Sequence, residues 1–599
     1  MNRIYRLVFN KSRGMVMAVS EFATAQGKGM RGERGARAGT LCGLLDGAIG
    51  FAVLSALSAA SVLVMCESVF AGDLPQNGKV VGGQATITTP NPNQMVITQG
   101  TQSAAINWQS FNVGAGNTVR FIQPSSTSQV LNRVTDLTGT TQILGSLTAN
   151  GQVFIVNPQG VVFGKGSVVN AGAILASTRD IDPTQFMSQG ARSLFLSGGS
   201  TGAGVVVNDG GVSVAPGGWI ALAGDVVKNT GSLSAPGGAV ALLAGGNATL
   251  ALSNGLLVDV CVSASQAQAT IAHSGSIAAQ GGKVFIDANT ANSLLGSAVN
   301  LTGVVDVSSE TGAGGTIAVD AGASGVANLS GARLTATGSS DVGGRVTVTG
   351  QRVGLFDGTV LNASGATGGG TVLVGGGAHG TDQSVRNAEV TVMDASASID
   401  ASATQKGKGG TVVLWSQEGT KFSGAIRAEG GRKGGDGGWV ETSSHNILQA
   451  LGRVDAAAPH GKSGSWLLDP TDVTISNAVN ANASDAGGTW SISGLTSVIN
   501  VAQINSDLNN GTSVTVTTTG SNGTNLGNIT INADIQKTAG ANANLTLTAN
   551  GTIIENNNIT STAGLLNVTM TGPNGITFGS GITFALNNGT LSAAGGNAS

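Results

Sequence analysis

Beyond residue 210 the chain repeats one phrase of apolar and polar positions. An alternating strand leads to a small-residue bend, then Gly-Gly, one residue, and a second apolar strand. The copies read APGGWIALAG, APGGAVALLAG, AQGGKVFIDA, GAGGTIAVDAG, DVGGRVTVTG, TGGGTVLVGGG, GKGGTVVLWS and GDGGWVETSS. Their second glycines are Gly218, Gly238, Gly282, Gly315, Gly344, Gly370, Gly410 and Gly438, at spacings of 20, 44, 33, 29, 26, 40 and 28 residues. Strands such as VVDVSS, RLTATG, VLNASG, SIDASA, AIRAEG and RVDAAA precede many copies. They place Val305, Val307, Ile317 and Val319 on one face and Asp, Ser or Thr on the other, a period of two.

This pattern predicts a parallel solenoid, in which each strand lies beside its counterpart one repeat later. The glycines fall where the chain turns and the next coil comes too close for a Cβ. Spacings of 40 and 44 residues are read as two coils each. At ~22 residues per coil and ~4.8 Å per rung, the chain after Ala71 would form a rod on the order of 115 Å long. Antiparallel sandwiches would need many two-residue hairpins, and the Gly-Gly block offers only Asn254-Gly255, Asp357-Gly358 and Asp436-Gly437. From about Thr471 glycine pairs thin out while Asn and Thr rise, which reads as coils of another repeat type. Asn-X-Ser/Thr triplets crowd this part, as such a composition produces without selection.

Composition narrows the class. Glycine is 95 of 599 residues, charged residues are 10% and aromatics 4%, so the interior must be aliphatic. The first 71 residues carry 8 Lys/Arg against 4 Asp/Glu; the rest carries 21 against 28, a net of −7. No basic stripe is visible along that remainder, so no nucleic-acid partner is expected. Cys42 and Cys66 lie near the N-terminus and Cys261 stands alone downstream, which excludes a disulfide framework.

The N-terminus reads as an address. A basic segment precedes LCGLLDGAIGFAVLSALSAASVLVMC, which ends in ESVFAG. Val69 and Ala71 meet the small-residue rule of a signal peptidase, which places cleavage between Ala71 and Gly72. An uncleaved membrane anchor is the competing reading. The opening MNRIYRLVFNKSRGMVMAVSE is similar to the N-terminal extension of large Gram-negative exoproteins, thought in that family to slow inner-membrane passage.

A less repetitive block lies between Asp73 and about Asp182. Its phrases INWQSFNVGAGNTVRFIQP, VLNRVT, ILGSLTANGQVFIVNPQGVVFGKG and AGAILAST resemble the secretion domain of the filamentous haemagglutinin family, the exoproteins of two-partner secretion. The resemblance implies an all-β fold, a right-handed parallel β-helix with an N-terminal cap. It implies export through a dedicated outer-membrane β-barrel transporter that receives the unfolded or partly folded chain on periplasmic transport-associated domains. It assigns transporter recognition to Asn107, Trp108, Phe111, Asn132 and Arg133, and to the tetrapeptide Asn157, Pro158, Gln159 and Gly160. That tetrapeptide follows the family's Asn-Pro-Asn-Gly motif with Gln159 in the third place. Asn, Pro and Gly at its other places suit a type I turn, which Gln159 also permits. The second family motif, Asn-Pro-Asn-Leu, has only Asn91-Pro92-Asn93-Gln94 in its neighbourhood.

The expected organisation is a signal peptide over 1–71, a capped secretion domain over 72–320, Gly-Gly coils over 321–470 and Asn/Thr-rich coils over 471–599. The expected function is a secreted or surface-held exoprotein of adhesin type, meeting a host-cell or bacterial surface receptor, with a glycan among the candidates, by multivalent contact. A cytolysin or contact-dependent toxin with the same secretion domain is the alternative. No enzyme and no cofactor are expected. His273, His379, His445 and His460 lack metal spacing and are read as loop residues, Asp469 and Asp472 as a strand-end turn, and Cys261 as a buried small hydrophobe.

Overall fold

Alternation along each strand puts one apolar row inward, and the chain winds so that these rows stack. In the computed structural model Val304–Asp306 pairs in parallel with Arg333–Thr335, and that strand with Val360–Asn362. Thr316–Asp320 pairs likewise with Arg345–Thr349 and then Thr371–Val374, and Val326–Ser330 with Arg352–Phe356. The structure describes residues 5–10, 15–20 and 73–595, apart from 190–192, 199–203, 266–267, 291–296, 478–482, 487–488, 493–496 and 519–525. The expected cleavage point, Ala71 and Gly72, lies outside the described residues.

Residues 1–60 and 61–599 form two separate units. In the first, Tyr5–Asn10 and Met15–Ser20 pair antiparallel. The second is a parallel β-helix whose regular coils give one strand to each of three long sheets. The first sheet runs in parallel from Ser103–Trp108 to Leu591–Gly595, the second from Gln94–Gln99 to Arg453–Asp455, and the third from Thr141–Ile143 to Ile576–Phe578. The N-terminal end is closed by antiparallel pairing of Lys79–Gly82 with Ser103–Trp108 and of Ala85–Asn91 with Gln94–Gln99. Asn91-Pro92-Asn93-Gln94 forms the turn of the latter hairpin.

The predicted inward residues Val305, Val307, Ile317 and Val319 are all buried. Their aliphatic rows fill the narrow interior, which explains how a chain with few aromatics can have a continuous core. The Gly-Gly corners are as crowded as expected: a Cβ on Gly238 would stand 1.8 Å from the carbonyl oxygen of Gly218.

Five sequence expectations need correction. The two wide spacings hold one coil each, because Ala239–Ala244 pairs directly with Lys283–Ala288, and Thr371–Val374 with Thr411–Leu414. The extra residues leave the column: Ala248–Ser253 and Leu256–Val262 form an antiparallel hairpin, closed by Asn254 and Gly255 at φ 52° and 81°. Coils are therefore longer than expected. Sixteen parallel steps along the first sheet, at ~4.8 Å each, make a column on the order of 77 Å rather than 115 Å.

The outer face is also not polar throughout. Trp219–Gly224 and Ala239–Ala244 are buried at all six positions. The helix Pro183–Gln189 and the strands Ser193–Leu196, Ala248–Ser253 and Leu256–Val262 lay a second apolar layer on them through Phe186, Leu194, Leu250 and Leu257. On that hairpin Cys261 is exposed and Val262 is the buried neighbour, so the cysteine occupies the outward phase of the strand. His273 ends the strand Ala269–His273 and is buried, not in a loop.

Near residue 500 one face changes element. Ser497–Asn500 lies between Ile447–Ala450 and Val473–Ser476, parallel to both, although it follows them in sequence. The helix Val501–Asn509 comes next and ends the second sheet. Asp507 Oδ1 accepts from Val454 N at 3.3 Å, and Thr512 Oγ1 from Ala456 N at 2.9 Å. On its other side Asn505 Oδ1 accepts from Gln536 N at 2.8 Å and Asn509 Oδ1 from Thr538 N at 2.6 Å. Side chains thus satisfy backbone donors that a further strand would have satisfied.

Candidate secretion site

The tetrapeptide joins the strands Gln152–Val156 and Val161–Phe163, a corner between the first and third sheets. Gly160 N donates to Asn157 O at 3.0 Å, closing a four-residue turn. Gln159 does not have a positive φ, which excludes type II, whereas Gly160 sits at φ 130°. A Cβ on Gly160 would lie 2.9 Å from Val205 O, so both conformation and space call for glycine.

Asn157 is buried and ties the corner to the rungs on either side. Its Oδ1 accepts from Gln159 N at 2.9 Å; its Nδ2 donates to Gly139 O at 3.0 Å and Thr141 Oγ1 at 3.1 Å. Its own N–H donates to Ser177 O at 3.0 Å in the next coil. Pro158 and Gln159 remain half-buried at the surface. Among the described residues no hydrogen bond of the Gln159 side chain holds the corner, so the longer amide is tolerated there.

The remaining predicted residues form a structural group close to the cap. Trp108 is buried and donates through Nε1 to Asn132 Oδ1 at 3.0 Å; Phe111 meets the indole edge-on at 5.4 Å and stacks on Phe121 at 6.5 Å. Asn132 is buried too, on the strand beside Trp108. Asn107 and Arg133 occupy one rung pair and are half-buried. Arg133 forks onto Asp180 at 2.7 and 2.5 Å, and that hydrogen-bonded pairing holds the guanidinium firmly in its charged form.

The fold therefore does not gather the predicted residues into one exposed patch. Trp108, Phe111, Asn132, Asn157 and Gly160 are packed inside, while Pro158, Gln159, Asn107 and Arg133 reach the surface in part. The sequence reading missed Asp180, the partner of Arg133, and the buried ion pair of Arg179 with Asp225, in which Arg179 also donates to Gly245 O. The signal was present in Arg179-Asp180-Ile181-Asp182, a charged run in a chain with few charges.

Comparison with known proteins places these features. Residues 71–325 match the TPS secretion domain, and residues 1–49 match the Extended Signal Peptide of Type V secretion system. The crystal structure of the HMW1 secretion domain from Haemophilus influenzae is similar, with a TM-score of 0.54 and 28% identity, covering 66% of this chain and 100% of that one. Two heme/hemopexin-binding proteins of Haemophilus influenzae are 42% identical over 112 residues and 40% identical over 110, which is 19% and 18% of this chain. The chain spans 12% of the length of each of those relatives.

Signal region and capped β-helix together define an exported protein of type V secretion, which passes the periplasm and crosses the outer membrane. Within that class, residues 71–325 are the TPS secretion domain that marks two-partner secretion exoproteins.

Proposed function

We propose that this exoprotein is a surface-contact protein of adhesin type without enzymatic activity. The observation that supports the reading is a row of outward side chains on the second sheet, where Ser232, Ser276, Val304 and Arg333 stand exposed at successive rungs. Identical spacing along a column lets many weak contacts act together, which raises avidity without any single deep site. The ligand of the heme/hemopexin-binding relatives is not carried over, because the matched share of those proteins is small.

Recognition by the transporter is assigned to the unfolded or partly folded secretion domain, received by its periplasmic transport-associated domains. In that state Trp108, Phe111 and Asn132 are accessible, whereas the folded column conceals them. The corner at Asn157 then serves export by letting the coil close once outside. The domain limits at about 320 and 470 belong to the same proposal, with the element change near residue 500 as the start of the last segment.

The test of adhesion is binding of the purified secreted chain to cultured host cells, free in solution and arrayed on beads. Arrayed chain should bind much more strongly than free chain. Equal and negligible binding in both forms would overturn the adhesin reading.

A further inference from the structure

Read linearly, the chain after Ala71 shows no basic stripe, but the fold builds one. The corners between the second and first sheets in three successive coils read TQKGKG, GGRKGGDG and PHGKSG, from residues 404–409, 430–437 and 459–464. Their backbones are in contact. Gly407 N donates to Gly434 O at 2.8 Å, Gly431 N to Gly407 O at 3.0 Å, and Lys433 N to Gln405 O at 2.7 Å. Gly437 N donates to Lys462 O at 2.9 Å, which adds the third loop. Lys406, Lys408, Arg432, Lys433 and Lys462 are all exposed there.

None of these five cations pairs with a carboxylate among the described residues. The one acid within the loops, Asp436, accepts from the backbone N–H of Lys462 at 2.8 Å. The cluster is bounded: at the same corner two and three coils earlier the exposed charges are Asp341 and Glu310. The loops are mostly glycine beneath the cations, so little bulk screens the charges from a partner lying against the corner.

We infer that this corner is a binding site for a linear polyanionic glycan, one bearing sulfate or carboxylate groups along its length. This rests on the surface-contact reading above and gives it a partner class. Rungs ~4.8 Å apart spread the charge along the column axis, which fits a chain of regularly spaced anions. A patch of this sign on a net-negative protein also concentrates the polyanion locally. Nucleic acid fits less well, because the three loops carry no Phe, Tyr or Trp on which bases could stack. A lipid surface fits less well too, since the loops present no large apolar side chain to enter it.

The test uses the full secreted chain on immobilised heparin and hyaluronan, with dextran as the neutral control. Anionic phosphatidylglycerol vesicles and duplex DNA are run beside them. The chain should be retained on a charged glycan at low salt and pass through dextran, with retention falling as salt screens the contact. Combined Lys406→Gln, Lys433→Gln and Lys462→Gln should weaken glycan binding by about tenfold or more at about 0.15 M salt. Combined Lys79→Gln, Lys228→Gln and Lys283→Gln, which removes equal charge elsewhere, should change it by less than about twofold.

If the corner variant is secreted poorly, Lys→Arg at the same three positions keeps the charge and should keep the binding, and single Lys433→Gln should already elute at lower salt. No retention on either charged glycan, or equal losses in the corner and control variants, would overturn the inference. Tighter binding to vesicles or DNA through the same lysines would overturn the choice of partner. Cell binding that survives loss of the glycan contact would leave the adhesin reading intact and remove only this site.

Discussion

The indole Nε1 of Trp108 donates to the carboxamide of Asn132, 3.0 Å away and one rung further along the column. Both residues are buried, so this hydrogen bond fixes the first coils to one another beneath the cap. Asn132→Ala would leave a buried indole N–H without its acceptor, at a cost of about 1–3 kcal/mol. Thermal unfolding of the secreted chain should show a lower midpoint for the variant. An unchanged midpoint would mean that the pair contributes nothing to the cap.

The corner at Asn157 makes unequal demands on its residues. Gly160→Ala places a Cβ at a positive φ and against Val205 O, for a loss of roughly 1–3 kcal/mol. Gln159→Asn restores the family's third residue and should stay within about 0.5 kcal/mol of the parent, since the turn needs only a non-positive φ there. Urea unfolding of both variants checks the contrast. Equal stabilities would refute the geometric account of the turn.

Close stacking at the Gly-Gly corners gives a third expectation. A Cβ on Gly238 would meet Gly218 O at 1.8 Å, whereas one on Gly139 meets nothing within 4 Å. Gly238→Ala should therefore force the rungs apart, at the upper end of about 1–3 kcal/mol, while Gly139→Ala is nearly neutral. Limited proteolysis reads the difference, because an opened corner is cut first.

Buried carboxyls make the column sensitive to alkali. Burial pushes the Glu555 carboxyl up to about 8 and, with Asp320 nearby, Asp287 up to about 7. Each folded group holds its proton at pH values where the unfolded chain has lost it. Stability from these groups is thus present below the ordinary carboxyl range and is lost as pH rises through about 7 to 8, then levels off. Glu555→Gln, which needs no proton, should flatten part of this slope in unfolding measured from pH 5 to 9. A slope identical to the parent would show that Glu555 is not the group responsible.

Much of this architecture is legible in the residues, and the exceptions have physical causes. Val305 and Ile317 point inward because alternation in a half-buried strand leaves no other choice. Spacing could not tell a second coil from an extruded hairpin, since both conserve the Gly-Gly phrase while only pairing separates them. Cys261 and Val262 differ by one residue in phase, and the side of a hairpin that faces the column is set by what lies beneath it. The basic corner escaped a linear reading because Lys406, Lys433 and Lys462 are brought together by stacking. Recognition residues were the least legible, for motif likeness marks Trp108 and Asn132 without distinguishing packing from contact.

Export through the partner transporter is the claim on which the rest depends. The direct measurement is the amount of full-length chain in the culture medium of paired strains, with and without the transporter, each producing the parent or the Asn157→Ala, Pro158→Ala variant. The account predicts abundant secreted parent chain only when the transporter is present, and reduced secretion of the variant. Equal secretion of the parent chain in the strain that lacks the transporter would contradict it.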